Sequence, residues 1–270
     1  MPNSYSSRVL SNTQIGTEIF LMVIESREIS SSSNPGNFVQ IKINLGTNIF
    51  WRRPFSILET DNGNFSILYK IAGRGTKALS QIKSGDSLNI IGPLGNQFSL
   101  PDKKDRVLLI GGGIGIPPLY FWAKRLLELG YGRTDIHFFN GAKNNLSLTY
   151  LNQIADLGIN VYPVTEDGSI GTKGVVIDEL NHFLSKNNVP TDRISAFSCG
   201  PTAMLKSVAE TADRYGINCE LALETLMPCG FGICMSCAIK VRDATDMEGF
   251  NYRRVCRDGP IFKSQEILWE

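Results

Sequence analysis

Three of the six cysteines, Cys229, Cys234 and Cys237, fall within nine residues of the stretch MPCGFGICMSC. Their spacing reads C-x4-C-x2-C. Thiols packed this densely suit a metal centre, and they leave a fourth ligand to be found. Cys199 lies in AFSCGPTAM, a strand-to-helix junction far upstream. Cys219 lies in YGINCELALE, an apolar stretch with strand character. Cys256 lies in YRRVCRDGPIF, 19 residues after Cys237 and just before an Asp258-Gly259-Pro260 turn. With Cys256 the pattern becomes C-x4-C-x2-C-x18-C, the plant-type [2Fe–2S] arrangement in which four thiolates hold two irons. Gly230 and Gly232 let such a loop bend tightly and aim backbone N–H groups at sulfur. Two other readings stay open. Four cysteines can hold structural zinc, although zinc sites usually pair two C-x2-C knuckles and here the fourth ligand stands alone. The thiols can also be inert core residues.

A cluster exchanges one electron at a time, so the remaining chain should show what feeds it. The stretch GGGIGIPP places Gly111, Gly113 and Gly115 ahead of Pro118. It departs from G-x-G-x-x-G, because position 116 is Ile, and HFFNGAK offers no acid at the end of the next strand to bind a ribose. A strand, a glycine turn and a helix N-terminus still make an anion site fit for a pyrophosphate. In WRRPFSI, Arg53 could hold a phosphate, while Pro54, Phe55 and Ser56 could present backbone and hydroxyl groups to a flat ring. In GRGTKALSQI, Gly73, Gly75 and Thr76 precede a short helical stretch. Each of these alone is equally well read as an ordinary turn or a strand start beside a charge.

The elements that must position these groups follow from hydrophobic periodicity. Up to about residue 100, EIFLMVIES, NFVQIKINL, PFSILET, NFSILYKIAG and SLNIIGPLG each read as a strand bounded by turn residues. Strands at this density imply an antiparallel β-barrel. The Ser30–Ser33 run with NPG behind it reads as a loop. From RVLLIGG onward the texture changes to β-α-β alternation, which implies an open doubly wound α/β sheet. The last fifty or so residues hold four of the cysteines and little apolar sequence, so a bound cluster should supply much of their stability. Three domains are expected: 1–102, the β-barrel; 103–216, the α/β domain; and 217–270, the cysteine-rich domain. His137 and His182 fall on a strand and a helix.

The bulk properties exclude other classes. The 270 residues carry 27 Lys and Arg against 26 Asp and Glu, so no basic field marks a nucleic-acid binder. The longest uncharged stretch, Val107–Ala123, contains four glycines and two prolines and is too short and broken for a membrane helix. The start MPNSYSSRVL has no signal-peptide run, so a cytoplasmic chain is expected. Six cysteines in such a chain argue for metal or redox chemistry rather than disulfides.

Taken in order, RPFS and GRGT in a barrel, GPLGNQF at its exit, GGGIGIPP in an α/β domain, SCGP on a later strand and the four-cysteine spacing resemble the ferredoxin–NADP reductase superfamily. Within it, the C-terminal cysteines and RRVCRDGPIF look most like the electron-transfer subunits of bacterial NAD-dependent dihydroorotate dehydrogenases. The resemblance covers nearly the whole chain apart from the first dozen residues and the last six. It implies FAD held by Arg53, Pro54, Phe55, Ser56, Leu68, Tyr69 and Lys70, with Gly75 and Thr76 at the pyrophosphate. It implies NAD(H) at Gly111, Gly113, Gly115 and at Cys199, Gly200 and Pro201. It implies a [2Fe–2S] cluster on Cys229, Cys234, Cys237 and Cys256. An FMN-containing catalytic subunit would be the partner, in a heterotetramer with two copies of each. That partner would oxidise dihydroorotate to orotate in pyrimidine biosynthesis, and electrons would pass through the cluster and FAD to NAD+. Relatives often carry a charged run before the first cysteine, whereas ETLMP here keeps only Glu224. Two alternatives remain: the reductase subunit of a ferredoxin:NADP oxidoreductase, sulfide dehydrogenase or hydrogenase, and a non-enzymatic iron–sulfur redox sensor.

Overall fold

The N-terminal strands pair in the order β1-β2-β5-β4-β3-β6 and close into an antiparallel barrel. They are β1 (Ser4–Gly16), β2 (Ile19–Glu25), β3 (Phe38–Lys42), β4 (Arg53–Asp61), β5 (Asn64–Lys70) and β6 (Ser87–Leu94). The structure is a computed structural model and describes residues 3–43, 49–186 and 190–269. Asn44 and Leu45, the end of the expected strand NFVQIKINL, lie outside the described residues. Strict alternation along β6 sends Leu88 and Ile90 inward against Val9, Met22, Val39 and Ile57. β1 is the longest strand of the barrel, and its polar run gave no apolar alternation to read. It holds its place by pairing on both sides, with β2 and with β6.

The serine run corrects the expectation of a loop. Ser30–Ser32 belong to a short helix, α1 (Arg27–Ser32). Ile29 is fully buried beneath it, and the hydroxyls of Ser32 and Ser33 donate to the carbonyls of Glu28 and Ile29 at 2.5 and 2.6 Å. The anchored Ile29 outweighs the weak helix propensity of serine, and the hydroxyls bond back to the helix's own carbonyls as it ends at Ser33. A second short helix, α2 (Arg74–Leu79), begins inside GRGT: Gly73 is its N-cap, and Gly75 and Thr76, expected to precede the helix, lie in its first turn.

The next domain is a seven-stranded sheet in the order β10-β9-β8-β7-β11-β12-β15. Its strands are β7 (Arg106–Gly112), β8 (Ile136–Ala142), β9 (Asn160–Thr165), β10 (Thr172–Lys173), β11 (Ile194–Cys199), β12 (Asn218–Ala222) and β15 (Ile261–Lys263). All neighbours run parallel except β12 and β15. The crossover helices are α3 (Pro117–Glu128), α4 (Leu151–Ala155), α5 (Val176–Lys186) and α6 (Thr202–Tyr215). α6 stops at Gly216, which takes φ +67°. Helix α3 also packs on the barrel. Phe121 enters the barrel core, and Lys124 Nζ lies 2.5 Å from Glu59 of β4.

The cysteine-rich segment adds only a hairpin, β13 (Ala238–Arg242) with β14 (Phe250–Arg254), and one turn of helix, α7 (Val255–Asp258). It has no separate core. Val241, Val255 and Ile267 pack with Leu205, Val208 and Leu221 of the parallel-sheet domain. β15, five residues past Cys256, is itself a strand of that sheet. No helix among the described residues is long and apolar enough to cross a membrane.

The fold also makes a test at low pH. His137 of β8 is buried between Tyr162 and Phe183, with Nδ1 3.0 Å from the Tyr162 hydroxyl. Burial, helped by the charge of Arg106, pushes its pKa down from 6.5 to about 4. The unfolded chain therefore binds the proton first as pH falls. The stability this site contributes is complete above pH 6.5 and is lost on descent toward pH 4, with about 2 kcal/mol gone by pH 5. A His137→Phe variant should lose less of its urea midpoint between pH 7 and pH 5 than the wild type. Equal losses would show that this histidine does not govern the acid limb.

Candidate functional site

The cluster loop follows β12 and wraps on itself through two glycines at positive φ, Gly230 (+80°) and Gly232 (+88°). Desolvation acts to raise the Cys229 thiol, but the backbone N–H groups of Cys234, Phe231 and Ile233 face its sulfur and bring it down to about 6. Cys237 and Cys256 form a second pair, with sulfurs 3.3 Å apart and the Cys256 N–H 3.5 Å from the Cys237 sulfur. Burial and the Cys237 sulfur push the Cys256 thiol up to about 12. The four thiols thus stand as two pairs, 229 with 234 and 237 with 256. Among the described residues no group of three or more His, Cys, Asp or Glu gathers closely enough to hold one metal ion. Two pairs fit a two-iron centre better than a single tetrahedral zinc ion. Cys199 and Cys219 sit elsewhere, buried on β11 and β12.

A cleft of 290 Å³ opens between the barrel and the other two domains. Pro54, Phe55 and Ser56 of β4 and Leu68, Tyr69 and Lys70 of β5 line its barrel side, where the sequence motifs put them. Tyr69 is fixed there: its hydroxyl donates to Asn12 of β1 at 3.0 Å, and its ring meets Phe55 edge-on at 5.7 Å. Arg53, Gly75 and Thr76 lie outside this cleft. A Cβ on Gly75 would meet the Arg53 guanidine at 3.0 Å, so the charge and the turn are neighbours. The Thr76 hydroxyl accepts the N–H groups of Ala72 and Gly73 at 2.8 and 3.2 Å and so builds the turn.

The far wall was not readable from the flavin motifs. Ile114 and Pro117 come from the glycine turn, Leu223–Thr225 and Met227 from the approach to Cys229, and Pro260 from just beyond Cys256. Thr225 Oγ1 is buried there without a partner among the described residues, and so is free to pair with a ligand's polar group. Glu224 opens onto the same cleft, and the walls strip enough water from its carboxyl to raise its pKa.

A second pocket of 410 Å³ lies at the C-terminal ends of the parallel strands, the usual ligand crevice of such sheets. Gly113 and Pro201 line it. Gly111 pairs in register with Cys199, and a Cβ on Gly115 would lie 2.7 Å from the Gly200 nitrogen. The two nucleotide motifs, nearly ninety residues apart, are therefore parts of one surface. Lys143 lines the pocket as well, and so does Glu166. No acid follows β8, as HFFNGAK predicts, yet Glu166 brings a carboxylate to this pocket from another strand. It follows β9 rather than β8, and parallel pairing of the two strands brings their ends together.

The sequence matches three family models in chain order. Residues 7–98 match the oxidoreductase FAD-binding domain, and 109–210 match the oxidoreductase NAD-binding domain. Residues 224–268 match the iron–sulfur cluster binding domain of dihydroorotate dehydrogenase B. The dihydroorotate dehydrogenase B (NAD(+)) electron transfer subunit of Caldanaerobacter subterraneus subsp. tengcongensis is 38% identical over 263 residues, covering 97% of this chain and 98% of the relative. This chain belongs to the dihydroorotate dehydrogenase B electron transfer subunit family. The member from Fusobacterium nucleatum is 36% identical, covering 95% of each chain, and that from Bacillus cereus is 35% identical, covering 96% of each. A chain in a solved NADH-dependent reduced ferredoxin-NADP oxidoreductase, described for flavin-based electron bifurcation, superposes with a TM-score of 0.84 at 29% identity. That match covers 100% of this chain and 92% of the other. The family thus brings FAD-binding, NAD-binding and iron–sulfur domains together on a subunit that works with a catalytic partner.

Proposed function

We propose that this chain carries electrons from the catalytic subunit of a B-type dihydroorotate dehydrogenase to NAD+, in pyrimidine biosynthesis in the cytoplasm. One observation carries the reading: the residues walling the 290 Å³ cleft run directly into Cys229, follow Cys256 and continue the glycine turn. Three sites therefore meet at one cleft. FAD bound there would exchange a hydride with nicotinamide on one side and single electrons with a [2Fe–2S] cluster on the other. Pro54–Ser56 and Leu68–Lys70 would hold the flavin ring, with Arg53, Gly75 and Thr76 near its phosphates. Gly111, Gly113, Gly115 and Cys199–Pro201 would hold the coenzyme, and Cys229, Cys234, Cys237 and Cys256 the cluster. The partner is an FMN-containing subunit, two of each forming the complex. The matched spans fall within 1–102, 103–216 and 217–270, and β12 and β15 of the last segment complete the sheet of the middle one.

Purified protein should contain one FAD and one [2Fe–2S] cluster, read from its absorbance spectrum with iron, zinc and labile-sulfide analysis. Stoichiometric zinc without sulfide would sink the cluster assignment. The likeness to the ferredoxin-NADP oxidoreductase chain favours a second reading, a reductase subunit serving ferredoxin. The partner that co-purifies from the native host separates the two.

Coenzyme choice follows from Glu166. A carboxylate at the strand ends accepts hydrogen bonds from a ribose diol and repels a 2′-phosphate. Lys143, the nearby cation, offsets part of that repulsion. NADH should be preferred to NADPH in diaphorase assays with an artificial acceptor. Glu166→Gln should narrow the kcat/KM ratio by about tenfold, the effect of one lost charge contact of roughly 1.4 kcal/mol. A wild-type preference for NADPH would overturn the assignment.

A further inference from the structure

Gln40 is a fully buried polar side chain of the barrel, on β3. Its register partner on β4 is Pro54, and Phe38, two residues earlier on the same face of β3, pairs with Ser56. Pro54, Ser56 and Phe38 all line the flavin cleft. In the other direction the Gln40 amide donates to the Met227 carbonyl at 2.9 Å, across 187 positions of sequence. Met227 lines the same cleft and stands two residues before Cys229. Gly230, the residue after Cys229, is seated directly on this amide. A Cβ there would lie 2.6 Å from Gln40 Nε2 and 2.7 Å from its Cδ. The amide nitrogen is thus the nearer of the two polar atoms to Gly230, and Oε1 is buried with no partner among the described residues. Burying an amide with half its capacity unused costs stability, and an apolar side chain would fill the place without that cost.

We infer that Gln40 is a positioning residue for electron transfer: its amide clamps the cluster loop to the flavin barrel and, by turning its positive end to that loop, makes the cluster easier to reduce. This rests on the flavin and [2Fe–2S] assignments proposed above. Gln40 exchanges neither electron nor proton. It fixes how far the loop stands from the cleft and sets a fixed dipole against Met227 and Gly230 of the loop that carries Cys229, where low dielectric strengthens it. Gly230 is required because any side chain would push the loop off the amide.

The test uses the full-length holoprotein and two variants, Gln40→Met, which keeps the volume and removes the amide, and Gln40→Glu, which keeps the shape and adds negative charge. The readouts are FAD, iron and sulfide content, NADH-to-ferricyanide turnover, and an EPR-monitored reduction titration of the cluster. Gln40→Met should keep FAD and flavin-level turnover. Its reduced-to-oxidised cluster ratio at a fixed potential should fall severalfold, because the dipole that favours the reduced cluster is gone. Gln40→Glu should fall further in the same direction. An unchanged titration in both variants, or parallel loss of FAD and cluster in both, would overturn the inference and leave Gln40 a core residue. Absence of iron and sulfide from the wild type would instead refute the cluster assignment itself.

Discussion

Replacing Cys256 by Ser should strip the protein of its cluster while FAD remains. Cys256 is 2% exposed, stands 3.3 Å from the Cys237 sulfur and is anchored at the start of α7. A hydroxyl there is a much poorer ligand for iron than a thiolate. The segment around it borrows its core from the parallel-sheet domain, so loss of the metal removes much of what orders the loop. Near-complete loss of iron and labile sulfide is expected, with FAD absorbance and NADH-to-ferricyanide turnover close to wild type. Cys219→Ser is the matched control. That thiol is equally buried but lies on β12, in register with Ala196 of β11 and within an apolar cluster. Its replacement should lower stability by about 1 kcal/mol and leave the cluster in place. Equal cluster loss in the two variants would remove the support for Cys256 as the fourth ligand.

The second large effect is expected from Gly115→Ala, at the opposite end of the electron path. The new methyl group would lie 2.5 Å from the Cys199 carbonyl carbon and 2.7 Å from the Gly200 nitrogen. These are backbone atoms, so a rotamer change cannot relieve the contact. The glycine turn and the Cys199–Pro201 segment must part, and both are assigned to the coenzyme. A displacement near 1 Å at a reacting centre lowers rate by about a hundredfold. The kcat/KM for NADH should fall by about that factor. FAD content, cluster content and photoreduction of the flavin should stay near wild type, because neither cofactor site uses Gly115. Full activity in this variant would show that the two motifs do not act on one coenzyme.

The sequence made much of this arrangement readable, and the omissions share a cause. RVLLIGG declares itself as a continuous apolar run, buried from Val107 to Gly112 in the middle of the sheet. The cysteines declare themselves because a metal centre demands close spacing. β1 escaped notice because its polar residues hold a strand only through neighbours on both sides. Glu166 carries no local signal: a ribose-binding acid belongs at the end of the next strand in sequence, whereas parallel pairing sets the end of β9 beside it. Gln40 could not have been found in NFVQIKINL: its partner carbonyl lies 187 residues away, and nothing local marks a strand glutamine as a clamp. Local pattern records elements and clustered ligands. It does not record which distant elements share a wall.

The most direct measurement is orotate formation by this chain purified with its native catalytic subunit. Supplied with dihydroorotate and NAD+, the complex should yield orotate and NADH in equal amounts. The catalytic subunit alone should reduce an artificial acceptor but not NAD+. The Cys256→Ser complex should behave like the subunit alone. NAD+ reduction without this chain, or undiminished NAD+ reduction with the Cys256→Ser chain, would contradict an electron path through its cluster.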